Sequence, residues 1–131
     1  MTFVDTSALY ALADRADPHH AEAVRVFEAL LADGEVLLVH NYILLEAMAL
    51  VQHRLGVKPA LRLADSAGGF EIVWVDRALH DEAVRQIQRS PRRRVSLVDR
   101  VSFLVMKGRR VSTAFAFDPD FAAEGFRLVG A

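Results

Sequence analysis

The chain has 131 residues, of which 53% are hydrophobic and 25% charged, with a formal net charge of −1. This balance predicts one globular domain over residues 1–131 and excludes collagen-like, low-complexity and disordered classes. The sequence has no cysteine, which excludes disulfides and thiolate chemistry and fits a reducing compartment. It has neither an apolar run of membrane-helix length nor a signal-peptide pattern, so we expect a cytoplasmic protein without a membrane partner.

The small net charge conceals a polarised chain. Residues 1–84 carry an excess of acids, whereas residues 85–110 carry nine basic residues and one acid. The nine, called the basic band below, are Arg85, Arg89, Arg92, Arg93, Arg94, Arg100, Lys107, Arg109 and Arg110. Such a band attracts a polyanion or an acidic partner locally, although a merely solvated surface would have the same composition.

Hydrophobic periodicity predicts that strands and helices alternate along the chain. We predict a strand at 2–4, helices at 7–13 and 19–32, a strand at 36–39, helices at 41–55 and 58–67, a strand at 70–75, helices at 77–88 and 97–107, and strands at 110–117 and 126–129. Asn41 is the expected N-cap of the helix that Gly56 ends, and Asp76 caps a later helix. The alternation predicts an α/β fold with parallel strands and helices on both faces.

Four acids are candidates for one site. Asp5, Asp99 and Asp118 fall at the carboxyl ends of predicted strands or at helix starts, and Glu46 lies inside the helix that follows the second strand. Ligand sites of open α/β sheets lie at this edge, where strands pass into helices. Each acid also has a purely structural explanation. Asp5 and Asp118 fit helix N-caps, Asp99 fits a capping box with Ser96, and Glu46 fits a half-exposed boundary position.

Carboxylates brought to one edge require neutralisation. Two unit charges about 4 Å apart repel by about 4 kcal/mol at an effective dielectric constant near 20, so a cluster holds either protons or cations. Oxygen ligands without cysteine or paired histidines favour Mg²⁺ or Mn²⁺ over zinc. Water bound to such an ion is the reactant that phosphodiester hydrolysis consumes, so the acids point to a metal-dependent hydrolase.

Four motifs that span the chain resemble those of the PIN-domain ribonucleases, and most closely the VapC toxins of VapBC-type toxin–antitoxin modules. They are Val4-Asp5-Thr6-Ser7-Ala8-Leu9, Asn41-Tyr42 through Leu45-Glu46-Ala47, Ser96-Leu97-Val98-Asp99-Arg100-Val101-Ser102-Phe103, and Phe117-Asp118-Pro119-Asp120-Phe121. The resemblance implies a three-layer α/β/α sandwich around a parallel sheet of about five strands.

The resemblance also implies an activity and partners. The family's catalytic, metal-binding quartet corresponds to Asp5, Glu46, Asp99 and Asp118. We therefore expect endonucleolytic cleavage of RNA with Mg²⁺ or Mn²⁺, and homodimerisation. We also expect inhibition by a VapB-like antitoxin, whose C-terminal segment lies in the active-site groove. The family often has threonine two residues before the last acid, whereas Ala116 stands here. This difference puts the metal affinity at Asp118 in question.

Within this scheme Asp5 and Asp99 are the expected principal ligands, with Glu46 binding the metal or orienting its water and Asp118 completing the site. Further side chains are expected to support the ligands: Ser7, Ser102 and Asp120. For Ser102, a hydrogen bond to the preceding helical turn is the alternative.

Arg92, Arg93 and Arg94 are the candidate RNA-binding residues of the basic band, because they immediately precede the helix that carries Asp99. Lys107 and the arginines that follow it fall at the far end of that helix.

Three other functions were weighed. An aspartyl-phosphate phosphatase is disfavoured because Ser7 stands where its second aspartate would be. A phospho-receiver domain is disfavoured because Asp5 has no adjacent acid and no suitably placed lysine. A catalytically inactive PIN-like module that only binds a partner remains open.

Overall fold

The computed structural model describes residues 1–129. Within this range strands and helices follow in the order β1 (Thr2–Val4), α1 (Thr6–Ala13), α2 (His20–Ala32), β2 (Leu37–His40), α3 (Asn41–Leu55), α4 (Val57–Ala67), β3 (Glu71–Val73), α5 (Arg77–Arg89), α6 (Leu97–Arg109), β4 (Thr113–Phe115), α7 (Asp120–Ala123) and β5 (Arg127–Val129). No helix in the described range is both long and apolar enough to cross a membrane.

The strands form one parallel sheet in the order β3-β2-β1-β4-β5. In the central strand β1, Phe3 pairs with Leu38 of β2 on one side and with Ala114 of β4 on the other. The chain leaves β1 for β2 and β3, then returns past β1 to build β4 and β5. The direction of winding therefore reverses between β1 and β4, and such a point is where open α/β sheets bind ligands.

Helices cover both faces of this sheet. Parallel crossovers are right-handed, so connections that run in opposite directions along the sheet place their helices on opposite faces. The contacts agree, since α1 packs on α2, α3 and α4, whereas α5 packs on α6. The predicted α/β/α sandwich is confirmed.

The core lies around the central strands, which are covered on both faces and are accordingly apolar. Phe3, Phe115 and Phe121 are fully buried. The Phe3 ring stacks on that of Phe121 with centroids 6.1 Å apart, and this contact joins β1 to α7. The carboxyl ends of β1 and β4 thus lie next to these buried aromatic rings of the core.

The predicted elements are present, but their bounds differ, most of all in β4. The strand predicted at 110–117 is reduced to Thr113–Phe115. Arg110 adopts a left-handed conformation, with φ of 56°, that ends α6. At the other end, the amide of Phe117 donates to the side chain of Ser7 instead of to a neighbouring strand. The short helix α7 begins within the last acidic motif, at Asp120.

The predicted N-cap of α3 was wrong by one residue. His40 is the cap, since its Nδ1 accepts a hydrogen bond of 3.3 Å from the amide of Ile43. Asn41 instead accepts a hydrogen bond of 2.6 Å from the amide of Val75, beyond the end of β3. A tertiary contact therefore occupies the side chain that the local sequence marks as a cap.

Arg100 belongs to the basic band but does not lie on a solvated surface. It is buried, because the end of α5 packs over it on α6. Its guanidinium donates to the carbonyl of Ser90 at 2.5 Å and to that of Gln86 at 3.5 Å.

Candidate metal centre

Two of the predicted acids lie at the point where the winding of the sheet reverses. Asp5 directly follows β1, and Asp118 follows the neighbouring strand β4. The amide of Asp5 donates to the carbonyl of Phe115 at 3.0 Å, which keeps the two strand ends together. The topology that the sequence predicts therefore does bring these acids to one edge.

Asp5 is both a helix cap and a buried carboxylate. Its Oδ2 accepts hydrogen bonds from the amide of Ser7 at 3.1 Å and from the Ser7 hydroxyl at 2.6 Å, and the residue is 4% exposed. Burial raises the pKa of Asp5 to about 6; the bonds from Ser7 oppose the shift, and the charges of Asp99 and Asp118 add to it. The Ser7 oxygen also accepts from the amide of Phe117 at 3.0 Å.

Asp99 lies in the first turn of α6, where it completes the predicted capping box with Ser96. Its Oδ2 accepts from the amide of Ser96 at 2.9 Å, and its own amide donates to the Ser96 hydroxyl at 3.2 Å. Burial raises the pKa of Asp99, and the charges of Asp118 and Glu46 raise it further against the bonds from Ser96. The capping role and the membership of an acid cluster are thus compatible.

The tightest group of carboxylates consists of Asp99, Asp118 and Asp120, each of which offers an oxygen within 4.8 Å of the others. Asp118 Oδ1 accepts from the amide of Asp120 at 2.9 Å, a turn that leads into α7. The sequence predicts only a supporting role for Asp120. The Asp118-Pro119-Asp120 spacing at a helix start was the available signal, since it puts two acids in one tight turn.

The remaining acids lie close enough to act electrostatically but outside that trio. Asp5 interacts with Asp99 and Asp118, and Glu46, exposed on α3, interacts with Asp99. Asp99 therefore interacts electrostatically with each of the other three predicted acids.

Each turn leaves one carboxylate oxygen available. Among residues 1–129, the Oδ1 atoms of Asp5 and Asp99 and the Oδ2 atom of Asp118 have no hydrogen-bond partner, because the partner oxygens take the bonds from the turns. Asp99, Asp118 and Asp120 each bring a carboxylate oxygen within 4.8 Å of the others, and oxygen ligands are what a hard divalent cation prefers. The residues present therefore fit Mg²⁺ or Mn²⁺.

The family model of the PIN domain matches residues 2–126. The chain belongs to the PIN-domain family.

Named relatives of this PIN domain come from Mycobacterium tuberculosis. It is 34% identical over 130 residues to the 23S rRNA-specific endonuclease VapC20, which covers 96% of this chain and 95% of the relative. It is 31% identical over 117 residues to ribonuclease VapC26, covering 88% and 84% of the two chains. The crystal structure of VapC20, titled a sarcin-ricin loop cleaving toxin, superimposes with a TM-score of 0.85 at 32% identity and 96% coverage of both chains.

Ser102 occupies a different place in this PIN domain from the acids. Its hydroxyl donates to the carbonyl of Val98 at 3.0 Å, so it accepts the 2.9 Å bond from Nε2 of His40, which must carry the proton. Within residues 1–129 it bonds to none of the four acids. The bond joins α6 to the end of β2, and so fixes the helix of Asp99 against the strand that precedes the helix of Glu46.

The arginines that precede α6 divide into two kinds. Arg92 contacts Glu124 at 2.9 Å, and Lys107 contacts the same acid at 3.4 Å, so Arg92 lies along α6 rather than apart from Lys107 as the sequence suggested. Arg93 and Arg94 are exposed and form no ion pair with any residue of the described range. These two are therefore the arginines available for a polyanion near the PIN-domain acids.

Proposed function

We propose that this PIN domain, a single domain over residues 1–131, is an endoribonuclease that hydrolyses RNA phosphodiester bonds with Mg²⁺ or Mn²⁺. The observation that carries the proposal is the trio of Asp99, Asp118 and Asp120, whose carboxylate oxygens lie within 4.8 Å of one another. Asp5 interacts electrostatically with Asp99 and Asp118, and Glu46 interacts with Asp99. The similarity to proteins named endonuclease and ribonuclease supports the same activity.

In this proposal Asp5 and Asp99 hold the cation, Asp118 completes the site, and Glu46 binds directly or orients a water molecule. A bound divalent ion supplies an activated water and polarises the scissile phosphate. Ser7 keeps the Asp5 carboxylate in one orientation by two hydrogen bonds. Asp120 contributes a further oxygen beside Asp118.

The alanine at position 116 fits this assignment. Ala116 is fully buried and offers no hydroxyl to the acid two residues later. The amide of Asp120 instead holds Asp118 at 2.9 Å. We infer that this backbone bond orients the fourth acid, so a threonine hydroxyl is not needed.

The partners follow from the relatives. We propose RNA as the substrate, with 23S rRNA and its sarcin–ricin loop as the first targets to test, because VapC20 bears those descriptions. We further propose that the chain is the toxin of a type II pair with a VapB-like antitoxin and forms a homodimer in the cytoplasm. Leu45 and Trp74 are 69% and 70% exposed, and large apolar side chains of this kind are what a second copy would cover. A Leu45→Asp variant that keeps the mass of wild type in solution would contradict a dimer through this surface.

The test of the activity uses purified chain, 23S rRNA and a sarcin–ricin loop oligonucleotide, with Mg²⁺, Mn²⁺ or chelator. Asp5→Asn and Asp99→Asn should each abolish metal-dependent cleavage while circular dichroism shows an intact fold. Asp65→Asn, which changes an exposed acid on α4, is the matched control and should cleave as wild type does. Cleavage retained by both site variants refutes the assignment. A stable complex with a co-purifying partner, without cleavage by wild type, favours the inactive PIN-like binding module.

A further inference from the structure

Two stacked aromatic rings lie beside the acid cluster. The rings of His19 and Phe117 are nearly parallel, with an interplanar angle of 12° and centroids 4.4 Å apart. Phe117 immediately precedes Asp118, and its amide donates to the hydroxyl of Ser7, which in turn donates to Asp5. Phe117 is therefore adjacent in the chain to Asp118, and two hydrogen bonds through Ser7 join it to Asp5.

The pair is held firmly from both sides. The amide of His19 donates to the carboxylate of Asp17 at 2.8 Å, which fixes the turn before α2. The ring of Phe117 packs edge-on against that of Phe115 in β4, with centroids 6.1 Å apart. A ring fixed in this way loses little conformational freedom when a second ring stacks on it.

The position of His19 before α2 does not explain why a histidine side chain stands there. His19 precedes α2 but makes no side-chain capping bond, and its ring has no hydrogen-bond partner among residues 1–129. The residue is nevertheless exposed. Because Phe117 covers one face of the imidazole, the exposed surface lies on the other face and the edges.

We propose that the open face of His19 stacks on a base of the bound RNA, next to the phosphate that the acids process. The proposal rests on the ribonuclease function above and assigns a base-binding residue to it. Unpaired RNA bases commonly stack on aromatic side chains, and every base offers a face for this contact. A cation at this place would pair with the carboxylates, whereas a stacked ring holds the nucleotide without competing for them.

The test compares His19→Ala and His19→Phe with wild type in steady-state cleavage of a single-stranded oligoribonucleotide. Loss of one stacked base should raise KM roughly 5- to 150-fold and leave kcat within about twofold. Phenylalanine keeps the ring face and should restore KM. His53→Ala removes an exposed histidine of α3 and is the matched control. An unchanged KM in His19→Ala, or no rescue by phenylalanine in a folded variant, overturns the proposal.

A binding experiment separates this inference from the ribonuclease proposal. The Asp5→Asn protein, with and without His19→Ala, is titrated with oligoribonucleotides that carry 2-aminopurine or an abasic site at successive positions. At one position, stacking should quench the fluorescence in the His19 protein alone, and the abasic site should weaken binding in that protein alone. Equal quenching in both proteins contradicts the role of His19 whether or not wild type cleaves RNA. If His19→Ala abolishes the quenching but wild type does not cleave RNA, the base-stacking role of His19 is supported and the ribonuclease proposal is refuted.

Discussion

Asp5 shows how one side chain serves the fold and the site together. It caps α1 through one oxygen, and its burial among other acids raises its pKa to about 6 from an ordinary value of 3.8. Without a cation, the folded protein must therefore keep an unfavourable charge in its interior at neutral pH. A bound metal would remove that cost, so the site is less stable empty than filled.

The free energy of unfolding of the metal-free protein should depend on the ionisation of Asp5. Between pH 3.8 and about 6 the folded state binds more protons at Asp5 than the unfolded state does, so its contribution to the free energy of unfolding falls as pH rises. Asp5→Asn removes this loss and should be more stable than wild type above pH 6, by up to about 3 kcal/mol. Below pH 4 the two proteins should be equal.

Urea unfolding in chelator across this pH range measures the difference. Asp65→Asn is the control for the general effect of removing one acid, since Asp65 is exposed on α4. A constant difference between Asp5→Asn and wild type at all pH values would contradict the raised pKa.

His40 has the opposite pH dependence. Burial lowers the pKa of His40 to about 3 from 6.5, because the charged ring would lose its hydration. The neutral ring bonds to Ser102 and to the amide of Ile43. The unfolded state therefore binds more protons between pH 6.5 and 3, and stability is lost as pH falls through this range. The predicted loss is up to about 5 kcal/mol.

The variant His40→Asn keeps a donor and an acceptor but does not titrate. It should be less stable than wild type at pH 7, because it leaves a cavity, yet its stability should depend less on pH between 6.5 and 3. Thermal unfolding followed at several pH values tests this. Parallel pH profiles for the two proteins would show that another group causes the acid sensitivity.

At the scale of elements, the position of α6 decides where Asp99 lies. Arg100, the next residue, is buried and joins α6 to the end of α5 through the carbonyls of Gln86 and Ser90. The same contact closes the loop that contains Arg93 and Arg94. The guanidinium of Arg100 thus positions Asp99 and also the loop with Arg93 and Arg94, the candidate RNA-binding arginines.

Arg100→Met should retain the apolar volume of the stem but leave these carbonyls without their donor. We expect a loss of about 2–4 kcal/mol in the free energy of unfolding, together with reduced cleavage. Arg109→Met, on the same helix but exposed, removes only a surface ion pair with Glu71 and should cost much less. Equal losses in the two variants would mean that burial of Arg100 does not matter.

The sequence was sufficient to predict every element except α7, the sheet edge and the capping box, because these follow from periodicity and short-range spacing. It was insufficient for the cap of α3 and for the burial of Arg100, since both depend on what other elements place nearby. The carboxylate trio of Asp99, Asp118 and Asp120 depends on side-chain directions in a turn, which periodicity does not contain.

For the whole molecule, the distribution of charge matters more than its sum. An acidic edge of the sheet binds a polyanion only with help from cations. Arg93 and Arg94 lie at the end of α6 that carries Asp99, whereas Arg109 and Arg110 lie about 20 Å away at the other end. The position of an arginine, and not only its charge, should therefore determine its effect on RNA binding.

The double variant Arg93, Arg94→Ala should weaken RNA binding and make it less dependent on salt. Each lost phosphate contact on a single strand reduces the slope of log K against log salt concentration by about 0.7, so the slope should fall by up to about 1.4. Arg109, Arg110→Ala makes the same change in net charge at the opposite end of α6 and should preserve the slope. Binding isotherms at several salt concentrations on the Asp5→Asn background distinguish the two, and identical slopes would refute a local role.

The central position of β1 has a consequence for synthesis. Asp5 is made before Asp118 and Asp120, which follow much later in the chain and reach it only when β4 inserts beside β1. A growing polypeptide therefore lacks a complete set of acids until translation has passed β4. If the chain attacks ribosomal RNA as proposed, fragments that end before β4 lack two of the acids assigned to the metal and should not cleave it.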